Sequence, residues 1–217
     1  MLDVRLAPLR LLWVTLPLTL GPLLADALDP RSTALRTTAS LASWVLWALT
    51  LLAMLVLRTV TLSVVRVVVP ATAPAGLWAA LAAPDPDIVT VVVGLVAALA
   101  VTIAVLVAPV GEAFVDGSSY GDERRMPLRP PGVLLLGPIP LCWALTVGGC
   151  CAGPLLLAAK QWVAGAIVTA VGLPLAAITW RALHRLSRRW LVFVPAGFVV
   201  HDHFALAEPV LFPRAAI

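Results

Sequence analysis

Asparagine is missing from this chain altogether, lysine and tyrosine occur once each (Lys160 and Tyr120), and charged residues of all kinds fill only 12% of 217 positions. With 61% hydrophobic residues and a mean hydropathy of +1.02, so few charges cannot cover a water-facing surface, which excludes an ordinary soluble domain. Cysteine is scarce as well. Cys142, Cys150 and Cys151 fall in a single apolar stretch; adjacent cysteines rarely form an unstrained bridge, so the three read as small packing residues rather than a disulfide framework. No HExxH, CxxC or serine-triad pattern occurs, which removes the common signatures of a membrane enzyme. Apart from Asp26 at the outer edge of the first run, no acid lies inside an apolar run, and this argues against an ion-coupled carrier, because such carriers place carboxylates within the bilayer.

What the chain does have is six long apolar runs, and the length suits one helical bundle with a short appendage. The expected fold is an all-α membrane protein. Its transmembrane domain covers residues 1–189, with spans at about 9–27, 39–57, 61–83, 88–108, 133–158 and 162–180, followed by a β-rich tail at 190–217 that reads as an incomplete domain. The first run follows Arg5 and Arg10 and ends in Ala25-Asp26-Ala27, so it can be read either as a cleavable leader or as a retained first helix. Both leave the chain on the outer side.

The third run decides the threading, because Arg66 sits inside it and Pro70 and Pro74 remove two backbone donors. If it crosses, only Arg31, Arg36 and Lys160 of the fifteen basic residues face outward, in keeping with the positive-inside bias. Arg66 then extends its head toward the inner interface. The expected location is a bacterial inner (plasma) membrane with both termini in the cytoplasm. Trp162 and Trp180 bracket the sixth span at ~27 Å, using a rise of ~1.5 Å per residue, which matches the two aromatic belts of a bilayer. Within the fifth span, Gly149 and Gly153 form a small-xxx-small pair suited to close helix packing.

Three segments carry the functional expectations. The polar stretch from Gly111 to Arg129 contains Asp122, Glu123, Arg124, Arg125 and Arg129, and reads as a cytoplasmic loop able to dock on the basic tail or on a phosphate-bearing headgroup. After the sixth span come Arg181, Arg185, Arg188 and Arg189, where anionic lipid adds about 1 kcal/mol per arginine. The candidate partner- or lipid-binding residues are therefore Arg124, Arg125, Arg129, Arg185, Arg188 and Arg189, and the partners are the bilayer itself and either another membrane protein or anionic headgroups, not nucleic acid. In the tail, Trp190 to Val194 and Phe198 to His201 flank Pro195-Ala196-Gly197 as a β-hairpin, and Pro209 to Pro213 makes a third short run. His201, Asp202, His203 and Glu208 resemble a ligand set, yet in a strand Asp202 points away from the two histidines, so the cluster reads as a strand end rather than a metal site. No cofactor or metal is expected.

The segments from Gly117 to Pro131 and from Ser187 to Asp202 resemble those of uncharacterised multi-pass membrane proteins of high-GC actinobacteria, and the likeness extends over most of the chain. That resemblance implies a membrane protein and supplies no activity. The tail is also similar to the opening strands of bacterial pleckstrin-homology-like domains. The reading reached is a non-enzymatic scaffold or accessory subunit, with a small-solute transporter built on the kinked third and fifth helices as the alternative.

Overall fold

The structure is a computed structural model and describes residues 3–117, 119, 123–202, 208 and 210–214. After a short 3-10 turn at Val4–Leu6 come helices α1 (Ala7–Thr19), α2 (Gly21–Leu28), α3 (Thr33–Leu55), α4 (Thr59–Val68), α5 (Thr72–Ala82), α6 (Ile88–Leu106) and α7 (Ala108–Asp116). Strand β1 (Arg124–Pro127) follows, then α8 (Gly132–Leu136), α9 (Pro138–Ala158) and α10 (Trp162–Ser187), and finally strands β2 (Trp190–Val194), β3 (Gly197–His201) and β4 (Val210–Pro213). Six helical stretches are long and apolar enough to cross a membrane: Val4–Leu28, Thr33–Leu55, Thr59–Ala82, Ile88–Leu106, Pro138–Ala158 and Trp162–Ser187. The chain is thus a mainly helical bundle with a small antiparallel sheet at its C-terminal end.

Short polar caps start the long helices. The Ser32 hydroxyl accepts the Leu35 N–H, and the Asp87 carboxylate accepts the Thr90 N–H at 3.0 Å, satisfying donors that the first turn leaves free. At the far end of α3, Arg10 donates from Nε and Nη2 to the Met54 carbonyl at 3.2 and 2.6 Å. An arginine near the start of α1 therefore closes the end of α3, which places those two termini side by side.

The third stretch does traverse the bundle. Its first half, α4, packs on α3, α7 and α10, while its second half, α5, packs on α2 and α6 at the opposite end. Between them Pro70 interrupts the ladder, and the chain turns through shorter bonds: Ala71 N–H to Val68 O at 3.1 Å and Thr72 N–H to Val69 O at 3.1 Å.

The core lies where α1, α2, α4, α6 and α7 meet, and Leu9, Trp13, Leu23, Leu62, Val65, Val101, Val105 and Phe114 are all buried there. Leu41, Trp44, Ile103, Ile167 and Val171 turn outward and are mostly exposed. Such an apolar perimeter fits a hydrocarbon solvent rather than water. In the hairpin of α9 and α10, Gly149 lies against the Gly172 carbonyl, Gly153 against Thr169 and Gly165 against Leu157. The small-residue spacing expected to allow close helix approach does so.

Three expectations are corrected. The fifth span does not run unbroken from 133, because Gly137 adopts φ −143°, ψ −72° ahead of Pro138 and Pro140 and separates α8 from α9. The helix of the sixth span runs on past 180 to Ser187, so Arg181 and Arg185 are helical. The stretch from Gly111 onward is not a solvated loop throughout, since α7 buries Val110, Phe114 and Val115, and Arg124–Pro127 forms a strand. Finally, the tail is not a sheet by itself. Its three strands pair with β1 in the order β1-β2-β3-β4, all antiparallel.

Candidate functional site

The sheet and the helix ends beneath it gather most of the arginines. β1 is held to α7 by Asp116, whose Oδ1 accepts the Arg125 N–H and the Ser119 hydroxyl, each at 3.2 Å. The other carboxylate oxygen lies 3.7 Å from Arg5 Nη2. Beyond β1 the pairing continues, with the Leu128 N–H donating to Arg189 O at 3.0 Å. The β2–β3 hairpin turns at Pro195 and Ala196 into Gly197, whose φ of +153° suits glycine. A Cβ there would also strike the Phe212 carbonyl of β4.

Register then aligns one row across all four strands: Arg124 opposite Phe193, Phe193 opposite Phe198, Phe198 opposite Phe212. Directly paired residues share a face, and the Phe198 and Phe212 rings stack with centroids 5.0 Å apart. On the opposite face Trp190 stacks on His201 at 4.6 Å and packs against the bundle core. The sheet is therefore fastened by Trp190 and presents the phenylalanine row, with Phe193 and Phe212 exposed.

The six candidate arginines divide into two groups. Arg189 donates from Nε and Nη2 to both carboxylate oxygens of Asp202 at 2.8 and 2.6 Å, and the two side chains are only 12% and 7% exposed. Such a two-pronged, largely buried pair fixes structure. Arg125 pairs with Glu123 at 3.2 Å. Arg124, Arg129, Arg185 and Arg188 are exposed, and none of them has a side-chain partner among the described residues. Asp202, one of the suggested metal ligands, thus has both oxygens engaged by Arg189. His201 is stacked on Trp190, His203 lies outside the described residues, and among the described residues no group of three possible ligands converges.

A polar cluster that the sequence reading missed lies between α4 and α10. The Ser63 Oγ is 2.8 Å from His184 Nδ1 and 2.7 Å from Ser187 Oγ, while the Ser187 hydroxyl donates to the His184 carbonyl at 2.8 Å. Both hydroxyls are buried. One consistent assignment runs His184 Nδ1–H to Ser63, Ser63 to Ser187, and Ser187 to the carbonyl, which satisfies each group. The available signal was the three-residue spacing of His184 and Ser187, legible as one helical face only once α10 is known to continue past Trp180. A similar bridge joins Thr146 of α9 to Thr179 of α10 at 2.8 Å.

At the opposite end Asp26, Asp29 and Asp85 line a cleft of about 270 Å³ with Pro30 and Pro84. Next to the first span, hydrogen bonds from Arg5 hold the Asp3 carboxyl below the usual carboxylate range. No protein-family model matches the chain, and no curated protein and no solved structure is significantly similar to it.

Proposed function

We propose that this chain is a multi-pass protein of the bacterial plasma membrane, with the sheet end in the cytoplasm, acting as a non-enzymatic scaffold that holds anionic lipid headgroups at that face. The observation that carries this reading is the division of the arginines. Arg189 and Arg125 are committed to carboxylates within the fold, whereas Arg124, Arg129, Arg185 and Arg188 stand exposed around the sheet. Free guanidinium groups at a headgroup surface attract phosphates at about 1 kcal/mol each. The orientation rests on charge: Arg31, Arg36 and Lys160 are the basic residues of the other end, where Asp26, Asp29, Asp85 and Asp87 also lie.

A second reading, an acidic protein partner at the same face, is favoured by the exposed row of Phe193 and Phe212 beside Arg124. The two separate cleanly. Purified in mild detergent, the protein should retain anionic lipid in native mass spectra, and replacing Arg124, Arg129, Arg185 and Arg188 together by glutamine should abolish that retention. A stoichiometric protein that co-purifies and is lost in the same variant would replace lipid as the ligand. Unchanged retention of both would reject the proposal. For sidedness, cysteines at Arg58 and Asp85, in a chain with Cys142, Cys150 and Cys151 changed to alanine, should label from opposite compartments, Asp85→Cys from the periplasm.

A further inference from the structure

Arg66 differs from Arg5 and from the other half-buried basic residues near the sheet. Arg5 has Asp3 and Asp116, Arg10 has the Met54 carbonyl, Arg125 has Glu123 and Arg189 has Asp202. Arg66 has no hydrogen bond and no ion pair among the described residues, and its Nε is closed off from solvent. Its terminal nitrogens are not closed off in the same way, so a half-buried guanidinium with no counter-charge keeps paired donors open to an anion.

The surroundings fix where the guanidinium is held. The Arg66 head does not extend freely but lies against α7: a Cβ at Gly111 would come within 2.7 Å of Arg66 Nη2 and 3.7 Å of Pro127 Cγ. Gly111 therefore leaves the space that the guanidinium occupies between α4, α7 and β1. The acids of α7 do not fill the role: Asp116 is directed to Arg5 and to the start of β1, and Glu112 makes no ion pair with Arg66. The level is informative as well. Arg66 lies seven residues into its span, ~10 Å at ~1.5 Å per residue, and a helical side chain leans toward the N-terminal end. Its head thus meets α7, which begins just past the end of α6.

We propose that Arg66, framed by Gly111, is a receptor for one phosphate group, separate from the surface arginines. Guanidinium is matched to phosphate through paired N–H donors, and the group can come from a phospholipid headgroup or from free phosphate. The site stands on Arg66's own surroundings, so it does not depend on the four exposed arginines.

The test uses the full chain in dodecyl maltoside, following thermal unfolding while titrating phosphatidylglycerol, inorganic phosphate or an uncharged glycosyl diacylglycerol. Phosphatidylglycerol, inorganic phosphate or both should stabilise the wild type, and the glycolipid should not; which of the two acts identifies the source. The stabilising concentration should rise about tenfold or more in Arg66→Met, which keeps the apolar stem, and in Gly111→Ala, which keeps the charge but crowds it. The variant lacking Arg124, Arg129, Arg185 and Arg188 should retain the wild-type response, which separates failure here from failure of the scaffold reading. Should Arg66→Met not fold, Gly111→Ala carries the test. A wild type indifferent to both phosphates, an equal response to the glycolipid, or a foldable variant that keeps the full response would overturn the assignment.

Discussion

Trp13 and Trp47 donate to each other's backbone: Trp13 Nε1 to the Trp47 carbonyl at 3.0 Å, and Trp47 Nε1 to the Trp13 carbonyl at 2.9 Å. The second bond has a cause in the sequence. In α1 the Trp13 carbonyl would normally accept from residue 17, which is proline and has no N–H. The indole of α3 supplies the missing donor. Near the break at Pro70, Trp143 donates to Val67 O at 3.0 Å, a carbonyl left over because the Ala71 N–H turns to Val68 O. At both breaks a tryptophan from a neighbouring helix thus satisfies a carbonyl that the helix's own ladder leaves without a donor.

Trp47→Phe should destabilise the protein by about 1 kcal/mol, the scale of interhelical hydrogen bonds in membranes. In a Pro17→Ala background, where the residue 17 N–H returns, the same substitution should cost less. Unfolding in mixed micelles checks this through the double-mutant cycle, and equal costs in both backgrounds would show that the Trp47 indole bond does not compensate for the proline.

The α9–α10 seam makes a contrast between two glycines of α9, Gly148 and Gly153. A side chain on Gly153 would collide with Thr169, whereas nothing lies within 4 Å of a Cβ on Gly148. Gly153→Val should therefore destabilise by about 1–3 kcal/mol, the usual cost of overpacking, and Gly148→Val should leave the midpoint nearly unchanged. Thermal denaturation of both variants in the same detergent measures the difference.

The Arg189–Asp202 pair ties the end of α10 to the end of β3. Arg189→Gln leaves a carboxylate that is only 7% exposed without its counter-charge and should cost about 3–5 kcal/mol. Replacing both partners, as Arg189→Met with Asp202→Leu, should recover most of that loss. Limited proteolysis of the tail reports it directly: the single variant should be cleaved fastest, and a double variant cut as quickly would mean that the pair is not what holds the sheet.

How far these features were readable from sequence depends on the range of the contacts that make them. The six helical stretches follow from local apolar composition, and the β2–β3 hairpin from Pro195-Ala196-Gly197 between two β-branched runs. The ends of elements were less legible, because Gly137 and the arginines after Trp180 act through backbone conformation and helix continuation rather than hydropathy. Arg66 was legible as a cation inside a span but not as one facing Gly111, some 45 residues away. Ser63 and His184 are 121 residues apart, and neither carries a local signal for the other.

The strand at Arg124–Pro127 is the clearest case of a long-range element, and it supports a direct test. Its sequence, Arg-Arg-Met-Pro, has no alternation and ends in a residue that cannot donate to a ladder; only its partner makes it a strand. The register sets Met126 opposite Leu191 on the face that carries the phenylalanine row, and paired residues in antiparallel strands lie about 4.5–5.5 Å apart at Cα, within disulfide range. Met126→Cys with Leu191→Cys, in the chain freed of Cys142, Cys150 and Cys151, should cross-link under mild oxidation. Cleavage at a protease site introduced between α8 and α9 should then leave the two fragments joined until reductant is added. Met126→Cys paired with Val192→Cys, one residue out of register and on the opposite face, should cross-link far less. Equal yields from the two pairs would mean that the segment is not held in this ladder, and that the sheet belongs to the tail alone.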